Sequence, residues 1–225
     1  MNTRTRVAIY GAGFLGKQIL HHLQAYYSDK IELQGFLDDT KPVGEEIASG
    51  LRCLGSLSDA IVTPKLSAAE TRIVFAVGYA SMMARKAALQ RVLSSGYELF
   101  SVIHPSAIIE PNADVGPGSV VLGGAVLDQG VVLGRACFVD IGVRLGADTS
   151  VGENNYFSSG TSTGSRVSIG SDCFFGMDTT ITTDVSLGSN LFINAKSLVP
   201  RDVGDNVKLV EVHRSKQLPI SATQL

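Results

Sequence analysis

Three glycines with the spacing G-x-G-x-x-G, at Gly11, Gly13 and Gly16, form the pattern in this sequence that most directly indicates chemistry. They follow an apolar stretch, and two aspartates, Asp38 and Asp39, come about 20 residues later. Glycine lets backbone N–H groups approach a phosphate, and the N-terminus of a helix favours an anion. An aspartate after the second strand of such a unit can bind a ribose or a base. The pattern predicts a nucleotide site, and the alternative is a glycine turn beside solvated aspartates.

The elements that must position these residues alternate between strand and helix. Apolar runs predict strands at residues 6–10, 31–37, 72–77 and 98–103, and amphipathic stretches predict helices from the glycines to about residue 27 and at residues 80–96. This alternation predicts a small parallel sheet. Four strands are few for a full dinucleotide domain, and no partner for hydride transfer is visible. A nucleotide is therefore favoured over NAD.

A different period begins after His104-Pro105-Ser106. From Ile103 to Val199 every sixth residue is apolar, with Thr163 as the exception, and no insertion interrupts the series. The residue four positions later is mostly small or β-branched, so two inward-facing sets are expected. A period of six is typical of a β-helix, whose coils bury their faces only against neighbouring coils. With three faces of about six residues each, the run predicts roughly five coils.

The residue directly after each apolar position is glycine in eight cases, and Asp128, Asp140 or Asn194 in three others. We expect these residues to take the positive φ that a tight corner can require. Asp140 and Arg144 fit two interpretations. They supply charge at a coil corner, or they form a surface ion pair that contributes less than about 1 kcal/mol.

Composition excludes several classes of protein. A formal net charge of −2 over 225 residues provides no basic surface for a nucleic acid. No run of about 18 apolar residues and no charged-then-apolar leader is present, so we expect a cytoplasmic protein that does not enter a membrane. The cysteines, Cys53, Cys137 and Cys173, and the scattered histidines lack metal-ligand spacing. We therefore expect core thiols and no metal site.

Four features together resemble the sugar O- and N-acyltransferases of the sialic acid O-acetyltransferase type, which include bacterial acetyltransferases of UDP-4-amino sugars. They are the segment VAIYGAGFLGKQIL, the strand end GFLDD, the junction HPSA and the hexapeptide repeat. The resemblance spans nearly the whole chain. It implies an α/β N-terminal Rossmann-like domain at residues 1–103, a left-handed parallel β-helix at 104–200, and a C-terminal tail at 201–225.

The resemblance also implies an activity, the transfer of an acyl group from acetyl-CoA or another acyl-CoA to the amine or hydroxyl of a nucleotide-linked sugar. It implies a homotrimer, with the acyl-CoA in the groove between neighbouring subunits, and no metal. Gly160 and Gly176 match glycines that line this groove. Seven residues match the family's nucleotide-sugar site: Gly11, Gly13, Phe14, Gly16, Asp38, Asp39 and Gly78.

The catalytic segment departs from the family pattern. Where the family has a Glu-His-Asp run, with histidine as the general base, this chain has Gly146, Ala147 and Asp148. A second family histidine corresponds to Tyr156, and the usual C-terminal Gly-x-Pro-Ala motif is absent. A positioned general base contributes about 10²- to 10⁴-fold to the rate. We predict Asp148 as a late proton acceptor, with a solvated corner residue as the alternative, and Tyr156 or a backbone N–H as the oxyanion donor. None of the four histidines is an obvious substitute for the base, although His213 in the tail could reach the groove.

Three functions fit these residues. The first is an acyltransferase whose acceptor is an amine, because an amine with a lowered pKa is partly neutral and needs little help from a base. The second is an enzyme of different chemistry on the same scaffold. The third is a nucleotide-sugar-binding or assembly subunit without turnover. The acyltransferase is the prediction, since the glycine turn, the junction and the repeat all persist.

Overall fold

The computed structural model describes residues 4–210, and an α/β region, here called the head, covers residues 4–101. Its strands are β1 (Thr5–Tyr10), β2 (Ile31–Leu37), β3 (Glu46–Ala48), β4 (Leu51–Arg52) and β5 (Thr71–Phe75). Its helices are α1 (Phe14–Tyr26), α2 (Leu57–Ile61) and α3 (Met82–Ser94), and a 3-10 helix covers Pro64–Leu66. Strands β1, β2 and β5 and helices α1 and α3 lie within a few residues of their predicted positions, whereas β3 and β4 were not predicted.

A three-stranded parallel sheet in the order β2-β1-β5 is the centre of the head. Alternate side chains of β1 enter two different cores, because successive residues of a strand point to opposite faces. Val7 and Ile9 pack in one cluster with residues of α1. Ala8 and Tyr10 pack in another with residues of α2 and α3. The loop ends of β1, β2 and β5 therefore meet at one edge of a sheet that is covered on both sides.

The strand predicted at residues 98–103 is divided between the head and the next unit. Leu99 forms an isolated parallel bridge with Ile73 of β5. Val102–Ile103 instead pairs in parallel with Val120–Val121, as the first rung of a β-helix. The head consequently continues into this β-helix without a linker.

The β-helix, residues 102–209, has three faces built from two-residue parallel strands. Face one contains Val102–Ile103, Val120–Val121, Phe138–Val139, Tyr156–Phe157, Phe174–Phe175, Phe192–Ile193 and Lys208–Leu209. Face two contains Ile108–Ile109, Val126–Leu127, Arg144–Leu145, Ser162–Thr163, Thr180–Ile181 and Leu198–Val199. Face three contains Asp114–Val115, Val132–Leu133, Ser150–Val151, Ser168–Ile169 and Ser186–Leu187.

The predicted register of the repeat is confirmed. Each apolar residue of the six-residue series is the second residue of a strand, and the strands of this series pair eighteen residues apart, as Leu127 does with Leu145. The final pair of face one, Phe192 with Lys208, is sixteen residues apart. The inward residues form one continuous core. The coils number about six rather than the expected five, because face one carries seven strands. Its last strand, Lys208–Leu209, lies in the range that the sequence assigned to the tail.

The expectation that the residue directly after each apolar position has positive φ is wrong. Positive φ occurs three residues after the apolar position, as at Asp148 (56°) and Gly160 (73°). Glycine directly after the apolar position has a different cause. A Cβ on Gly116 would lie 2.5 Å from the carbonyl carbon of Gly134 in the next coil. The close stacking of coil backbones therefore selects glycine there, while the turn itself is three residues along.

The head packs against face one of the β-helix. The outward side chains of Phe138, Tyr156 and Phe174 belong to the same buried cluster as Leu15 and Ile19 of α1. Tyr156 stacks on Phe138 with ring centroids 4.6 Å apart and lies 5.8 Å from Phe174. The two units thus share a hydrophobic core. None of the helices in residues 4–210 has the length and apolar character needed to span a membrane.

Arg85 of α3 stabilises the contact between the head and the β-helix. Its side chain is fully buried, and the guanidinium donates hydrogen bonds to the carbonyl oxygens of Val77 in the head and, at 2.8 Å, Ala136 in the β-helix. The guanidinium also lies 4.8 Å from the centre of the Phe75 ring. Burial lowers the pKa of Arg85 to about 10. The contact fixes the strand end after β5 relative to one corner of the coil stack.

Candidate functional site

A cavity of about 900 Å³ lies where the loop edge of the head sheet meets the β-helix. This volume is in the range of small-molecule and cofactor pockets. The head side is lined by the glycine turn, the residues after β2 and β5, and α3. The β-helix side is lined by four residues of face one and its following corner: Asp140, Ile141, Tyr156 and Ser159.

Six of the seven predicted nucleotide-sugar residues line this cavity, and Gly16 is the exception. Gly16 is buried behind the turn, where a Cβ would collide with the carbonyl oxygen of Gly11. Gly11 itself has φ +113°, and a Cβ there would lie 2.5 Å from the carbonyl oxygen of Ala76. Both glycines are thus required by the fold of the turn.

Gly13 and Gly78 differ from these two glycines. A Cβ on either would meet no atom within 4 Å, and both residues line the cavity. The turn therefore leaves open space beside its backbone at these two positions. Gly13 is the N-cap of α1 and provides no side-chain cap, and the first turn contains no acidic residue. Uncapped N–H groups at a helix N-terminus bind an anion such as a phosphate.

The carboxylate of Asp38 is occupied by the protein backbone. It accepts hydrogen bonds from the N–H of Ala12 at 2.8 Å and from the N–H and hydroxyl of Thr40 at 2.9 and 2.7 Å. Burial raises the pKa of Asp38, but the hydrogen bonds from Thr40 and Ala12 outweigh it, so the pKa lies below its ordinary value. Asp38 thus holds the glycine turn in place and has limited capacity left for a ligand.

Asp39 belongs to a polar network on the cavity wall that the sequence did not predict. Its Oδ2 accepts hydrogen bonds from the Tyr10 hydroxyl at 2.8 Å and from Arg91 Nη2 at 2.6 Å. Burial, followed by the hydrogen bond to Asp39, raises the pKa of Tyr10 to about 12. Arg91 lies on α3, 52 residues from its partner. The network places a carboxylate and a guanidinium side by side, where the edge of a base could receive and donate hydrogen bonds.

Tyr156 lies in the opposite wall, on face one. Its ring is buried in the aromatic stack, and Tyr79 packs against it at 4.8 Å between centroids. Among residues 4–210 its hydroxyl has no hydrogen-bond partner. Burial raises the pKa of Tyr156, and the charge of Asp140 raises it further. The hydroxyl therefore stays protonated at physiological pH, and Tyr156 is one of the residues that line the cavity.

Asp140 lies beside Tyr156 on the same wall. Its Oδ2 accepts a hydrogen bond from the Ser159 hydroxyl at 2.8 Å, and its Oδ1 accepts the N–H of Ile141, also at 2.8 Å. The ion pair with Arg144 that the sequence suggested is not formed within the described part of the chain. Asp140 and Ser159 are 19 residues apart, about one coil, so a search at that spacing would have paired them.

Asp148 does not line the cavity. It is exposed at a different corner of the coil stack, and its side chain lies over Gly130 of the preceding coil. Arg166 has the equivalent position in the following coil. Ala147, which replaces the family histidine, is at the same corner, and its carbonyl accepts the Arg166 N–H at 2.7 Å. Within one chain the two predicted catalytic residues, Asp148 and Tyr156, are not brought together.

The predicted CoA-groove glycines are neighbours in the coil stack. Gly160 follows the cavity residue Ser159 directly, and Gly176 lies one coil further along the same corner, next to the Phe157–Phe175 pair. A Cβ on Gly176 would collide with the backbone N of Ala195, so coil stacking alone requires this glycine. The corner that carries both glycines adjoins the cavity.

The histidines that the structure describes lie elsewhere. His21, His22 and His104 cluster between α1 and the first coil, with His22 and His104 centroids 5.4 Å apart. None of them lines the cavity. His213 lies outside the described residues. Across residues 4–210, no group of three or more His, Cys, Asp or Glu side chains is arranged to hold a metal ion.

Comparisons of the sequence find no matching protein-family model and no matching curated protein. Solved structures do match. A histidine mutant of perosamine N-acetyltransferase from Caulobacter crescentus, in complex with CoA and GDP-perosamine, has a TM-score of 0.81 at 21% identity, covering 92% of this chain and 93% of that one. The acetyltransferase domain of PglB from Neisseria gonorrhoeae, in complex with acetyl coenzyme A, has a TM-score of 0.79 at 25% identity, covering 92% and 96%.

A third similar structure, WeeI from Acinetobacter baumannii, has a TM-score of 0.68 at 17% identity and covers 92% of this chain and 96% of that one. All three matches extend over the head and the β-helix together, since each covers more than nine tenths of both chains. The chain therefore has the fold of the hexapeptide β-helix sugar N-acetyltransferases, the family that its sequence motifs resemble.

Proposed function

We propose that this protein transfers an acyl group from an acyl-CoA to a sugar linked to a nucleotide. The observation that carries the proposal is the cavity itself. The glycine turn of the head and the polar wall of the β-helix face each other across one space of about 900 Å³. Support comes from a similarly folded enzyme described in complex with CoA and a nucleotide sugar.

In this proposal residues 1–103 hold the nucleotide, and the β-helix, residues 104–200, holds the acyl donor. The phosphates lie at the N-terminus of α1, in the space that Gly13 and Gly78 leave open. Asp39 and Arg91 face the base, because their charges form a paired acceptor and donor at one wall. The sugar then extends toward Tyr156 and Asp140, where acyl transfer occurs.

We further propose that the protein is a homotrimer, with acyl-CoA in a groove between subunits beside Gly160 and Gly176. A β-helix of three flat faces offers long surfaces that closed symmetry buries without forming filaments. The exposed outward residues Ile108, Val132 and Leu198 of faces two and three fit this association. A cytoplasmic location belongs to the same proposal. Sedimentation showing a monomer at micromolar concentration would contradict the shared groove.

Acyl transfer needs a donor for the oxyanion that forms when the acceptor attacks the thioester. Tyr156 supplies this donor in the proposal, since its hydroxyl stays protonated and the residue lines the cavity. Removing one oxyanion donor costs about 10²- to 10³-fold in kcat in well-studied cases. Asp148, at another corner, contributes to this reaction only from a neighbouring subunit.

The direct test mixes the protein with acetyl-CoA and a panel of nucleotide-linked amino sugars that differ in base. Free thiol is followed with a thiol-reactive dye, and the acetylated sugar is identified by mass spectrometry. The expected result is thiol release that depends on one nucleotide sugar, with a matching acetylated product. Thiol release without product, or no turnover by any member of the panel, would refute the proposal.

A binding or assembly subunit is the second candidate. It is favoured by Ala147 and Gly146, which replace the family's catalytic pair, and by the lack of a histidine at the cavity in the described residues. A thermal-shift screen separates the two candidates. Stabilisation by nucleotide sugar with none by CoA indicates a binder, because only a ligand that binds the native state raises its stability.

A further inference from the structure

We infer that Asp140, held by Ser159, accepts the proton of the acceptor group in place of the missing histidine, and that the acceptor is therefore an amine. The inference rests on the proposed function and assigns its general base and acceptor chemistry.

The geometry separates Asp140 from the other carboxylates of the cavity. Three acidic residues line it: Asp38, Asp39 and Asp140. Asp38 accepts three hydrogen bonds from the glycine turn and its flank. Asp39 is neutralised by Arg91 at 2.6 Å. Asp140 has only uncharged donors, one hydroxyl and one backbone N–H, and forms no ion pair among residues 4–210. It is the cavity carboxylate that has no charged partner among these residues and has free acceptor capacity.

The position of Asp140 relative to the proposed ligands is also suitable. It shares the β-helix wall with Tyr156, on the side of the cavity opposite the glycine turn. Ser159, its hydroxyl partner, directly precedes Gly160, the first of the predicted CoA-groove glycines. A sugar that extends from a nucleotide on the head would reach Asp140 and Tyr156 at the same end. An acyl group bound along the corner that carries Gly160 would contact the sugar beside Asp140 and Tyr156.

The proton balance of the reaction fits a carboxylate. The amine nitrogen attacks the thioester carbonyl carbon, forming a C–N bond and a tetrahedral oxyanion near Tyr156. The nitrogen then carries a positive charge, and one of its protons passes to the Asp140 carboxylate. The C–S bond breaks, the carbonyl re-forms, and the CoA thiolate takes that proton from Asp140. The products are an amide and free CoA thiol, and the carboxylate is regenerated.

The same carboxylate is poorly suited to a hydroxyl acceptor. An alcohol must lose its proton while it attacks, which requires a base matched to a weakly acidic group. An amine attacks through its lone pair and becomes acidic only afterwards, so a carboxylate is sufficient. Replacing histidine by this arrangement thus selects amines over hydroxyls.

The experiment compares wild type with Asp140→Asn and with Asp128→Asn as a matched control. An asparagine at 140 keeps an oxygen for the Ile141 N–H and an NH₂ for the serine oxygen, so the fold is preserved. Asp128 is a fitting control because it holds the N–H of Gln129 at 2.7 Å in the same way but lies outside the cavity. Each protein is assayed for kcat and KM with the amino sugar found for wild type, and nucleotide affinity is measured by calorimetry.

We expect Asp140→Asn to lower kcat about 10²- to 10⁴-fold, with nucleotide affinity unchanged and Asp128→Asn indistinguishable from wild type. We expect Ser159→Ala to lower kcat without changing nucleotide affinity, and Ser159→Thr to restore it, because Ser159 is a positioning residue. Equal turnover by Asp140→Asn and wild type would overturn the inference, as would faster acylation of a hydroxy sugar than of its amino analogue. Absence of turnover in wild type would instead overturn the proposed function.

Discussion

Filling the space beside Gly78 should weaken nucleotide binding at least tenfold without harming the fold. A Cβ at this position meets no atom within 4 Å, and the residue lines the cavity. Gly78→Leu therefore adds a side chain to empty space. Replacing glycine where the backbone is unstrained stabilises a protein by about 0.4–1 kcal/mol through the unfolded state. We accordingly expect the free energy of unfolding of the variant to equal or slightly exceed that of wild type.

The substitution should, in contrast, reduce the stabilisation that bound nucleotide gives to the native state. A ligand at 100 times its Kd stabilises the native state by about 2.7 kcal/mol. A leucine that occupies the path of the phosphates should weaken binding at least tenfold, which is about 1.4 kcal/mol. At a fixed nucleotide concentration the ligand-induced stabilisation should fall from about 2.7 to about 1.4 kcal/mol or less.

The assay is urea denaturation with and without UDP, GDP or dTDP, with calorimetry to measure Kd. Gly204→Leu is the matched control, because a Cβ at Gly204 also meets no atom within 4 Å and the residue is not a cavity residue. Without ligand both variants should be at least as stable as wild type, and only in Gly78→Leu should the stabilisation by nucleotide fall. Wild-type affinity in Gly78→Leu would refute the placement of the nucleotide beside this strand end.

Three further predictions follow from the same contacts. Asp38→Asn should destabilise the protein by about 1–3 kcal/mol at pH 7, because the Ala12 N–H loses a charged acceptor. The folded pKa of Asp38 lies below 3.8, so this difference should be full above that pH and shrink as pH falls through the folded pKa; a constant difference in urea midpoints at pH 7 and pH 3 would contradict it. Gly134→Ala should cost about 1–3 kcal/mol or more, since its Cβ would lie 2.5 Å from Gly152 of the next coil, and an unchanged Tm would show that the coils can separate. Tyr156→Phe should keep the aromatic stack and Tm but lower kcat about 10²-fold, and wild-type kcat would reduce Tyr156 to a packing residue.

The β-helix could be predicted from the sequence because its two constraints repeat at a fixed interval. An apolar residue every six positions is sufficient to specify which side chain of each two-residue strand points inward, as at Leu127 and Leu145. The glycine positions predict the wrong turn residue because glycine is selected for two different reasons in each coil. At Gly116, glycine is needed because the backbone of the next coil leaves no room for a Cβ. The positive φ of the turn occurs instead three residues after each apolar position, as at Asp148.

The sequence predicts the head side of the candidate site but not the β-helix side. The G-x-G-x-x-G turn and the acidic pair have local signatures, and six of those residues do line one cavity. The opposite wall depends on how the head docks on face one, which no local pattern specifies. Arg91 and Tyr79 come from α3 and the loop before it, and nothing in a helical pattern distinguishes an arginine that meets Asp39 from one in solvent. For Asp140 the sequence allows a charge at a coil corner or an ion pair with Arg144, and the hydrogen bond from Ser159, 19 residues along the chain, follows only from the coil spacing.

The aromatic side chains that join α1 to face one have a consequence for how this protein can be divided. Phe138, Tyr156 and Phe174 are covered by the head, and Leu15 and Ile19 are covered in return. A fragment cut near residue 103 would expose one half of this surface and its complement the other, and such large apolar patches favour aggregation. Neither piece is expected to be an independent module, so heating the intact chain should give a single melting transition. A substitution deep in the coil stack would then loosen the distant nucleotide pocket as well.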